Sequence, residues 1–123
     1  MPSPRVLVIE DDGDVLRLLT SHLVRMGCEV TGAATGELGL ALAQQDPPDA
    51  VLVDMLLPGI DGAQVVEQLR GSARTAGCRV VISSILDPGD YVDVPADATL
   101  QKPFTRNDVN AVVTALQLQG KSS

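Results

Sequence analysis

Residues 50–59 read AVLVDMLLPG, an apolar run that ends in the carboxylate of Asp54 and is followed by turn residues. A second apolar run, VLVI at residues 6–9, ends in acidic residues as well. Continuous apolar runs of this length are typical of strands that are covered on both faces, as in parallel sheets. The two runs therefore predict two central, parallel strands that each end in an acidic side chain.

The rest of the chain alternates between short apolar runs and apolar residues at helical spacing. Further short strands are predicted at residues 29–31, 80–82 and 98–101, and helical patterns separate most of the predicted strands from one another. Strands that alternate with helices imply right-handed crossovers between parallel strands. The pattern predicts an α/β fold with a five-stranded parallel sheet and helices on both faces. Thr105, with Asp108 three residues later, is the expected start of the last helix.

Polar residues follow these strands, and the carboxyl ends of parallel strands meet at one edge of a sheet. The polar residues at the predicted edge are Glu10, Asp11, Asp54, Ser83 or Ser84, and Lys102. Because Asp12 follows the first acidic pair, we expect three or four carboxylates and one ammonium there. Like charges held this close together are costly unless a cation compensates them. The edge is therefore the candidate functional site.

Length and composition narrow the class of protein. The 123 residues are expected to form a single domain, residues 1–123. The net charge of −7 argues against direct binding to nucleic acid or to an acidic membrane, since both need a basic surface. The sequence has neither an apolar stretch long enough to span a bilayer nor a signal-peptide pattern, so we expect a cytoplasmic protein.

The predicted cluster has the composition of a site for phosphoryl transfer. Mg²⁺ prefers oxygen ligands and keeps several positions open to water or phosphate. The ligands available are the carboxylates of Glu10, Asp11 and Asp54 and the backbone carbonyl of Leu56. With its charge compensated, Asp54 is a nucleophile that forms an acyl phosphate. Lys102 and a serine hydroxyl would stabilise the transferred group.

Three motifs carry a family resemblance: VLVIEDD at residues 6–12, VDMLLPGIDG at residues 53–62 and KPF at residues 102–104. In this order and at these spacings they make the chain resemble the response-regulator receiver domains of two-component signalling, the CheY-like superfamily. The resemblance covers about residues 4–119 and implies a doubly wound, flavodoxin-like fold. It also implies a cis peptide bond between Lys102 and Pro103.

The resemblance also implies roles for residues and partners. It places the metal-binding acid pair on Glu10 and Asp11. It places the phosphoacceptor on Asp54 and the family's lysine on Lys102. The implied cofactor is Mg²⁺ or Mn²⁺. The implied phosphoryl donor is a sensor histidine kinase or a histidine phosphotransfer protein. The implied recipient of the signal is a downstream protein or a fused output domain. A receiver is a signalling module and not a turnover enzyme.

The stretch before the lysine departs from the family pattern. The switch hydroxyl falls on Ser84 by an ungapped count from Asp54, with Ser83 as the alternative. The aromatic switch position is Thr99, so no aromatic side chain can flip there. Residues 85–97 are about four residues short and contain helix-breaking Pro and Gly residues, so we expect the fourth helix to be shortened or absent.

Other functions on the same fold fit this sequence less well. A flavin mononucleotide binder needs a Ser/Thr/Gly-rich loop after the first strand, where the acids at residues 10–12 would repel a phosphate. A phosphatase with an aspartyl nucleophile usually has a second Asp two positions after the first, and that position is Leu56. The alternative that stays open is a pseudo-receiver, which uses the fold as a protein-binding module and is never phosphorylated.

Overall fold

Five parallel strands form one sheet at the centre of the fold. They are β1 (Arg5–Ile9), β2 (Glu29–Ala33), β3 (Ala50–Asp54), β4 (Arg79–Ser84) and β5 (Ala98–Gln101), and their order in the sheet is β2-β1-β3-β4-β5. The predicted five-stranded parallel sheet is confirmed. The structure is a computed structural model that describes residues 3–86, 88–91 and 93–116, so the expected ends of the domain, at residues 1 and 123, and of its core, at residue 119, lie outside the described residues.

Four α-helices pack on the sheet in the described part of the chain: α1 (Gly13–Arg25), α2 (Gly36–Gln45), α3 (Gly62–Gly71) and α4 (Arg106–Ala115). At the start of each helix, a side-chain oxygen accepts backbone N–H groups of the first turn; the capping residues are Asp12, Thr35, Asp61 and Thr105. The predicted start at Thr105 is confirmed. None of the helices that the structure describes is long and apolar enough to cross a membrane.

Two apolar clusters, one on each face of the sheet, form most of the core. Leu52 of β3 packs with residues of α1 and α4, whereas its neighbours Val51 and Val53 pack with residues of α2 and α3. All five residues of β3 are buried. Because β3 is covered on both faces, its sequence is a continuous apolar run instead of an alternating one. The strand leaves the core at Asp54.

The strand order places a crevice beside the ends of β1 and β3. From β1 the chain crosses outward to β2, and the next crossover returns past β1 to β3 on its other side. In open α/β sheets a crevice forms outside the carboxyl ends of the strands where the winding reverses in this way. β1 ends at Ile9 and β3 ends at Asp54, so the residues at these two ends border the crevice.

The β4–β5 connection, residues 85–97, contains a single 3₁₀ turn at Pro88–Tyr91 among its described residues. The expectation of a shortened or absent fourth helix is therefore confirmed. Asp87 and Val92, which belong to this segment, lie outside the described residues. A small apolar cluster joins the connection to the sheet and to α3; its members are Met55, Ile82, Ala63, Leu86, Val94 and Ala96.

Candidate functional site

Glu10 follows β1 directly and is held in a buried position. Its backbone N–H donates to the carbonyl oxygen of Ala33 at 2.9 Å, which extends the pairing of β1 with β2 by one residue. Its side chain is only 2% exposed, and Oε2 accepts the N–H of Asp12 at 3.2 Å. The sheet therefore carries the first acid of the motif into the interior.

The next two acids of the motif, Asp11 and Asp12, have different roles. Asp11 is exposed at the mouth of the crevice. Asp12 instead caps α1, because its Oδ1 accepts the backbone N–H groups of Asp14 at 2.9 Å and Val15 at 3.3 Å. A capping carboxylate is engaged by the helix it begins. Of the three or four carboxylates that we expected, three thus form the cluster.

Asp54 ends β3 and is 6% exposed. The N–H of Leu56 donates to its Oδ1 at 3.0 Å, which orients the carboxylate. A hydrogen bond also fixes the backbone of this turn, because the N–H of Gly62 donates to the carbonyl of Met55 at 3.0 Å. A Cβ at position 62 would lie 2.6 Å from Cα of Met55 and would also meet the carbonyl oxygen of Asp54. This role of Gly62 was not predicted from the sequence. The signal available there was a glycine at the first position of a helix, where a side chain is normally tolerated.

Lys102 follows β5 and reaches both buried carboxylates. Its Nζ lies 2.6 Å from Oε1 of Glu10 and 3.1 Å from Oδ2 of Asp54. The backbone N–H of Lys102 donates to the carbonyl of Ser84 at 2.8 Å, and the peptide bond to Pro103 is cis, as expected from the family resemblance. The structure therefore brings together the acids and the lysine, which lie as far as 92 residues apart in the chain.

Burial and hydrogen bonding act in opposite directions on the pKa of Glu10 and on the pKa of Lys102. Burial raises the pKa of Glu10, and the hydrogen bonds from Lys102 and from the N–H of Asp12 offset that effect only in part. Burial would lower the pKa of Lys102, but its hydrogen bonds to Glu10 and Asp54 outweigh burial and raise the pKa. The ammonium is therefore held charged, and the negative charge of Glu10 remains costly in its buried position.

The three carboxylates have the chemistry of a site for a hard divalent cation. One oxygen from each of Glu10, Asp11 and Asp54 lies within 4.8 Å of the others. Oxygen donors of this kind suit Mg²⁺ and Ca²⁺, and Mg²⁺ is commonly held by one or two carboxylates with several waters. The burial that raises the pKa of Glu10 is a cost that such a cation would reduce. The residues present therefore fit a divalent cation.

Both candidate hydroxyls are buried at the end of β4. Oγ of Ser84 accepts the N–H of Leu86 at 3.0 Å, which leaves its own hydrogen available to donate. Ser83 lies opposite Asp54 in the ladder of β3 and β4, and its Oγ has no hydrogen-bond partner among the described residues. Thr99, at the aromatic switch position, is exposed on β5 opposite Ile82.

Comparison with known proteins identifies relatives of this chain. The family model of the response regulator receiver domain matches residues 6–114. The chain is similar to the DNA-binding dual master transcriptional regulator RpaA of Synechocystis sp., with 38% identity over 117 residues that cover 92% of this chain and 48% of RpaA. It is 39% identical over 116 residues to the transcriptional regulatory protein PrrA of Mycobacterium tuberculosis, covering 93% and 50%. The chain thus spans about half the length of these relatives.

Solved structures with the same fold include receivers from several bacteria. A putative response regulator from Chloroflexus aurantiacus is 29% identical, with a TM-score of 0.87 and coverage of 93% of this chain and 97% of that one. The receiver domain of sensor histidine kinase PA1611 from Pseudomonas aeruginosa, which has a magnesium ion in its active site cleft, is 21% identical, with a TM-score of 0.85 and coverage of 93% and 97%. At that identity the second likeness establishes the fold alone.

Proposed function

This chain belongs to the family of response regulator receiver domains, and on that premise we propose that it accepts a phosphoryl group on Asp54. One observation carries the proposal. The carboxylate of Asp54, at the end of the central strand, lies between two other acids and the ammonium of Lys102, whose Nζ is 3.1 Å from Oδ2. An aspartate at this place is oriented by the N–H of Leu56 and lies next to a fixed positive charge.

In the proposed reaction, Asp54 is the nucleophile and a phosphohistidine is the donor. A carboxylate oxygen of Asp54 forms a bond to phosphorus while the bond from phosphorus to the donor's imidazole nitrogen breaks. That nitrogen keeps the electron pair and takes up a proton. Phosphoryl transfer depends mainly on positioning and on compensation of charge. The N–H of Leu56 orients the carboxylate of Asp54, and Lys102 is placed to stabilise the negative charge of the transferred group.

The carboxylates of Glu10, Asp11 and Asp54 are the residues that would hold Mg²⁺ or Mn²⁺, together with the backbone carbonyl of Leu56. The cation supplies positive charge that compensates both the carboxylates and the phosphoryl oxygens. Asp11 is the exposed member of the set, and Glu10 is buried against Lys102. This difference supports Asp11 as a direct ligand, because its carboxylate is exposed, whereas the carboxylate of Glu10 is paired with the ammonium of Lys102.

Ser84 is the proposed switch hydroxyl. Its Oγ accepts the N–H of Leu86, so its hydrogen can be donated to a phosphoryl oxygen while the residue stays linked to the β4–β5 connection. A hydrogen bond formed only in the phosphorylated state shifts the equilibrium between two conformations. With Thr99 at the aromatic position, the change of conformation passes through residues 85 and 86 without an aromatic rotamer flip.

The proposed partners are a histidine kinase or histidine phosphotransfer protein and a recipient of the signal. The recipient is a separate protein or a fused output domain. The coverage of about half of RpaA and PrrA, both named as transcriptional regulators, supports an output that lies beyond the matched segment. We take residues 1–123 as one receiver domain, acting as a signalling module.

Phosphorylation with a small acyl phosphate tests the assignment of Asp54. Intact-mass analysis after incubation with acetyl phosphate and Mg²⁺ should find one added phosphoryl group on the wild type and none on Asp54→Asn. Chelation of the cation should abolish the labelling. Asp46→Asn is the matched control, because Asp46 is an exposed carboxylate that pairs with Arg5 far from the site. That variant should be labelled like the wild type.

Two results would contradict the proposal. Equal labelling of the wild type and Asp54→Asn would place the phosphoryl group on another residue. A folded wild type that is never labelled, by acetyl phosphate or by phosphohistidine donors, would favour the pseudo-receiver, which binds proteins without phosphorylation.

A further inference from the structure

We infer that Gln101 is a positioning residue that holds the switch hydroxyl of Ser84 in its unphosphorylated position. The inference rests on the proposed function, because it concerns the change of conformation that follows phosphorylation of Asp54. The observation behind it is a hydrogen bond from Nε2 of Gln101 to the carbonyl oxygen of Leu86 at 3.1 Å. It assigns a role to an exposed side chain at the end of β5.

The backbone of Leu86 is held from both sides by residues of two neighbouring strands. Its N–H donates to Oγ of Ser84 at 3.0 Å, and its carbonyl accepts from Gln101. Ser84 and Gln101 are opposite each other in the ladder of β4 and β5, so their side chains share one face of the sheet. The cross-strand pair at the ends of β4 and β5 thus fixes one residue of the β4–β5 connection.

The side chain of Leu86 is fixed at the same point. It packs in the small apolar cluster with Ile82 of β4 and with Met55, which follows the phosphoacceptor in the chain. Ile85, which lies between Ser84 and Leu86, is 64% exposed. Leu86 is therefore the residue that anchors the start of the connection to the sheet, next to the switch hydroxyl.

The side chains of Ser84 and Asp54 belong to opposite faces of the sheet. Leu52 of β3 and Val81 of β4 are opposite each other and pack in the cluster with α1 and α4. Side chains alternate between the two faces along a strand. Asp54, two residues after Leu52, therefore shares that face, whereas Ser84, three residues after Val81, belongs to the face of α2 and α3. The hydroxyl of Ser84 has to turn toward the crevice before it can donate to a phosphoryl group.

This turn separates Leu86 from Gln101. Oγ of Ser84 keeps the N–H of Leu86 while its own hydrogen is donated, so the start of the connection moves with the hydroxyl. Gln101 cannot follow, because the ladder holds β5, and the N–H of Lys102 donates to the carbonyl of Ser84 at 2.8 Å. The hydrogen bond from Gln101 to Leu86 is therefore present in the unphosphorylated state alone. A contact made in one state alone stabilises that state.

The link through Gln101 does not pass through Thr99, at the aromatic switch position. Thr99 and Gln101 are two residues apart on β5, so their side chains share a face of the sheet, and both residues are exposed. The amide of Gln101, at the position before Lys102, bonds the connection directly. Gln101 therefore opposes the switch in the unphosphorylated protein and is released when the hydroxyl turns.

Binding of beryllofluoride, a mimic of the phosphoryl group, tests this inference in the presence of Mg²⁺. Gln101→Met keeps the length of the side chain and removes the donor. It should bind beryllofluoride about threefold more tightly than the wild type, the size expected for an exposed hydrogen bond that stabilises the unliganded state alone. Gln101→Ala should give the same increase, which would exclude an effect of the longer apolar side chain.

Gln45→Met is the matched control, since Gln45 is an exposed glutamine at the end of α2. The same change of side chain there should leave the affinity for beryllofluoride unchanged. Denaturation with urea gives a second measurement. Gln101→Met should be less stable than the wild type without beryllofluoride, and saturating beryllofluoride should abolish the difference. A hydrogen bond that is kept in both states would lower both stabilities equally and leave the affinity unchanged, which would overturn the inference.

The side-chain amide resonances of Gln101 report the hydrogen bond directly. When beryllofluoride is added to the wild type, they should shift toward the positions of an exposed glutamine such as Gln45. Resonances that stay unchanged at saturation would show that the bond to Leu86 persists in both states, and would contradict the role of Gln101.

Failure of this inference is distinct from failure of the proposed function. If Gln101→Met binds beryllofluoride as tightly as the wild type, or more weakly, while wild-type Asp54 is labelled by acetyl phosphate, Gln101 does not restrain the switch and the proposed function stands. A wild type that neither binds beryllofluoride nor is labelled overturns both.

Discussion

The acidic edge, formed by Glu10, Asp11, Asp54 and Lys102, and the β4–β5 connection, residues 85–97, meet at the end of β4 but are held by different means. At the acidic edge, strands of the sheet carry each side chain to its place, and the oxygens of three acids converge within 4.8 Å. Among the described residues of the connection, a 3₁₀ turn at Pro88–Tyr91 lies where a full fourth helix would be expected from the family pattern. The chain follows the family motifs at the first region and departs from them at the second.

One arginine of α3 binds the end of the connection, at Pro95 and Asp97, and also the segment that precedes β4. Arg70, on α3, donates to the carbonyls of Pro95 at 3.2 Å, Ala76 at 2.9 Å and Cys78 at 2.7 Å, and its Nη2 lies 2.9 Å from Oδ2 of Asp97. A planar guanidinium offers five donors in a fixed arrangement, so it can join several chain segments at once. Sheet packing therefore determines the first region, whereas the guanidinium of Arg70 and the small apolar cluster that includes Leu86, Val94 and Ala96 restrain the second.

The largest effect is expected from a methyl group placed at the acidic edge. Gly62→Ala should lower the free energy of unfolding by about 3 kcal/mol, because the new Cβ meets the backbone of Asp54 and Met55, which cannot move without displacing the site. Urea denaturation measures the difference. Gly71→Ala, at the other end of α3, is the control: its Cβ has no neighbour within 4 Å, and the change should stabilise the protein by about 0.5 kcal/mol. Equal effects of the two changes would show that the backbone at the acidic edge is not tightly packed.

A smaller effect is expected from loss of the arginine that restrains the connection. Arg70→Ala should lower the free energy of unfolding by about 2 kcal/mol, since several carbonyls and one carboxylate lose a charged donor. It should also increase amide hydrogen exchange at residues 93–97 and leave exchange in β3 unchanged. Arg74→Ala should cost within about 0.5 kcal/mol, because Arg74 is exposed and bonds only to carbonyls at the end of α2. Increased exchange throughout β3 would show that the two regions are not held independently.

The smallest effect is a dependence of stability on pH that arises from Asp97, at the end of the connection. Burial would raise the pKa of Asp97, but hydrogen bonds from the N–H of Val80 and from Arg70, with the charge of Arg79, outweigh it and lower the pKa below its ordinary value of 3.8. The ionised form is therefore favoured by folding, and its contribution is present above pH 3.8 and lost as the pH falls through the lowered pKa.

Urea denaturation of the wild type and Asp97→Asn across this range measures the contribution. The wild type should be the more stable protein near neutral pH, and the difference should shrink below pH 3.8. Other carboxylates titrate in the same range, but they are common to both proteins and cancel in the comparison. A difference that grows as the pH falls would contradict the assigned direction of the shift.

The elements of the fold and the members of the acidic edge were predictable from the sequence for a local reason. A strand that is covered on both faces must be apolar throughout, so VLVI and AVLV identify β1 and β3 and show where each strand ends. Parallel strands then bring those ends together whatever the details of packing. Glu10, Asp54 and Lys102 follow from this rule. The shortened or absent fourth helix was predictable for a different local reason, because prolines and glycines are unfavourable within helices.

Only the tertiary structure decided which neighbouring residues take part. Asp11 and Asp12 look alike in the sequence, but one is exposed beside the crevice and the other caps α1. Ser83 and Ser84 occupy opposite faces of β4, and Oγ of Ser84 accepts the N–H of Leu86 whereas Oγ of Ser83 has no hydrogen-bond partner among the described residues. A shift of one residue in register would exchange their faces. The sequence sets where each strand ends because that depends on its own residues. The partner of each side chain depends on residues tens of positions away, which only packing brings within a hydrogen bond's reach.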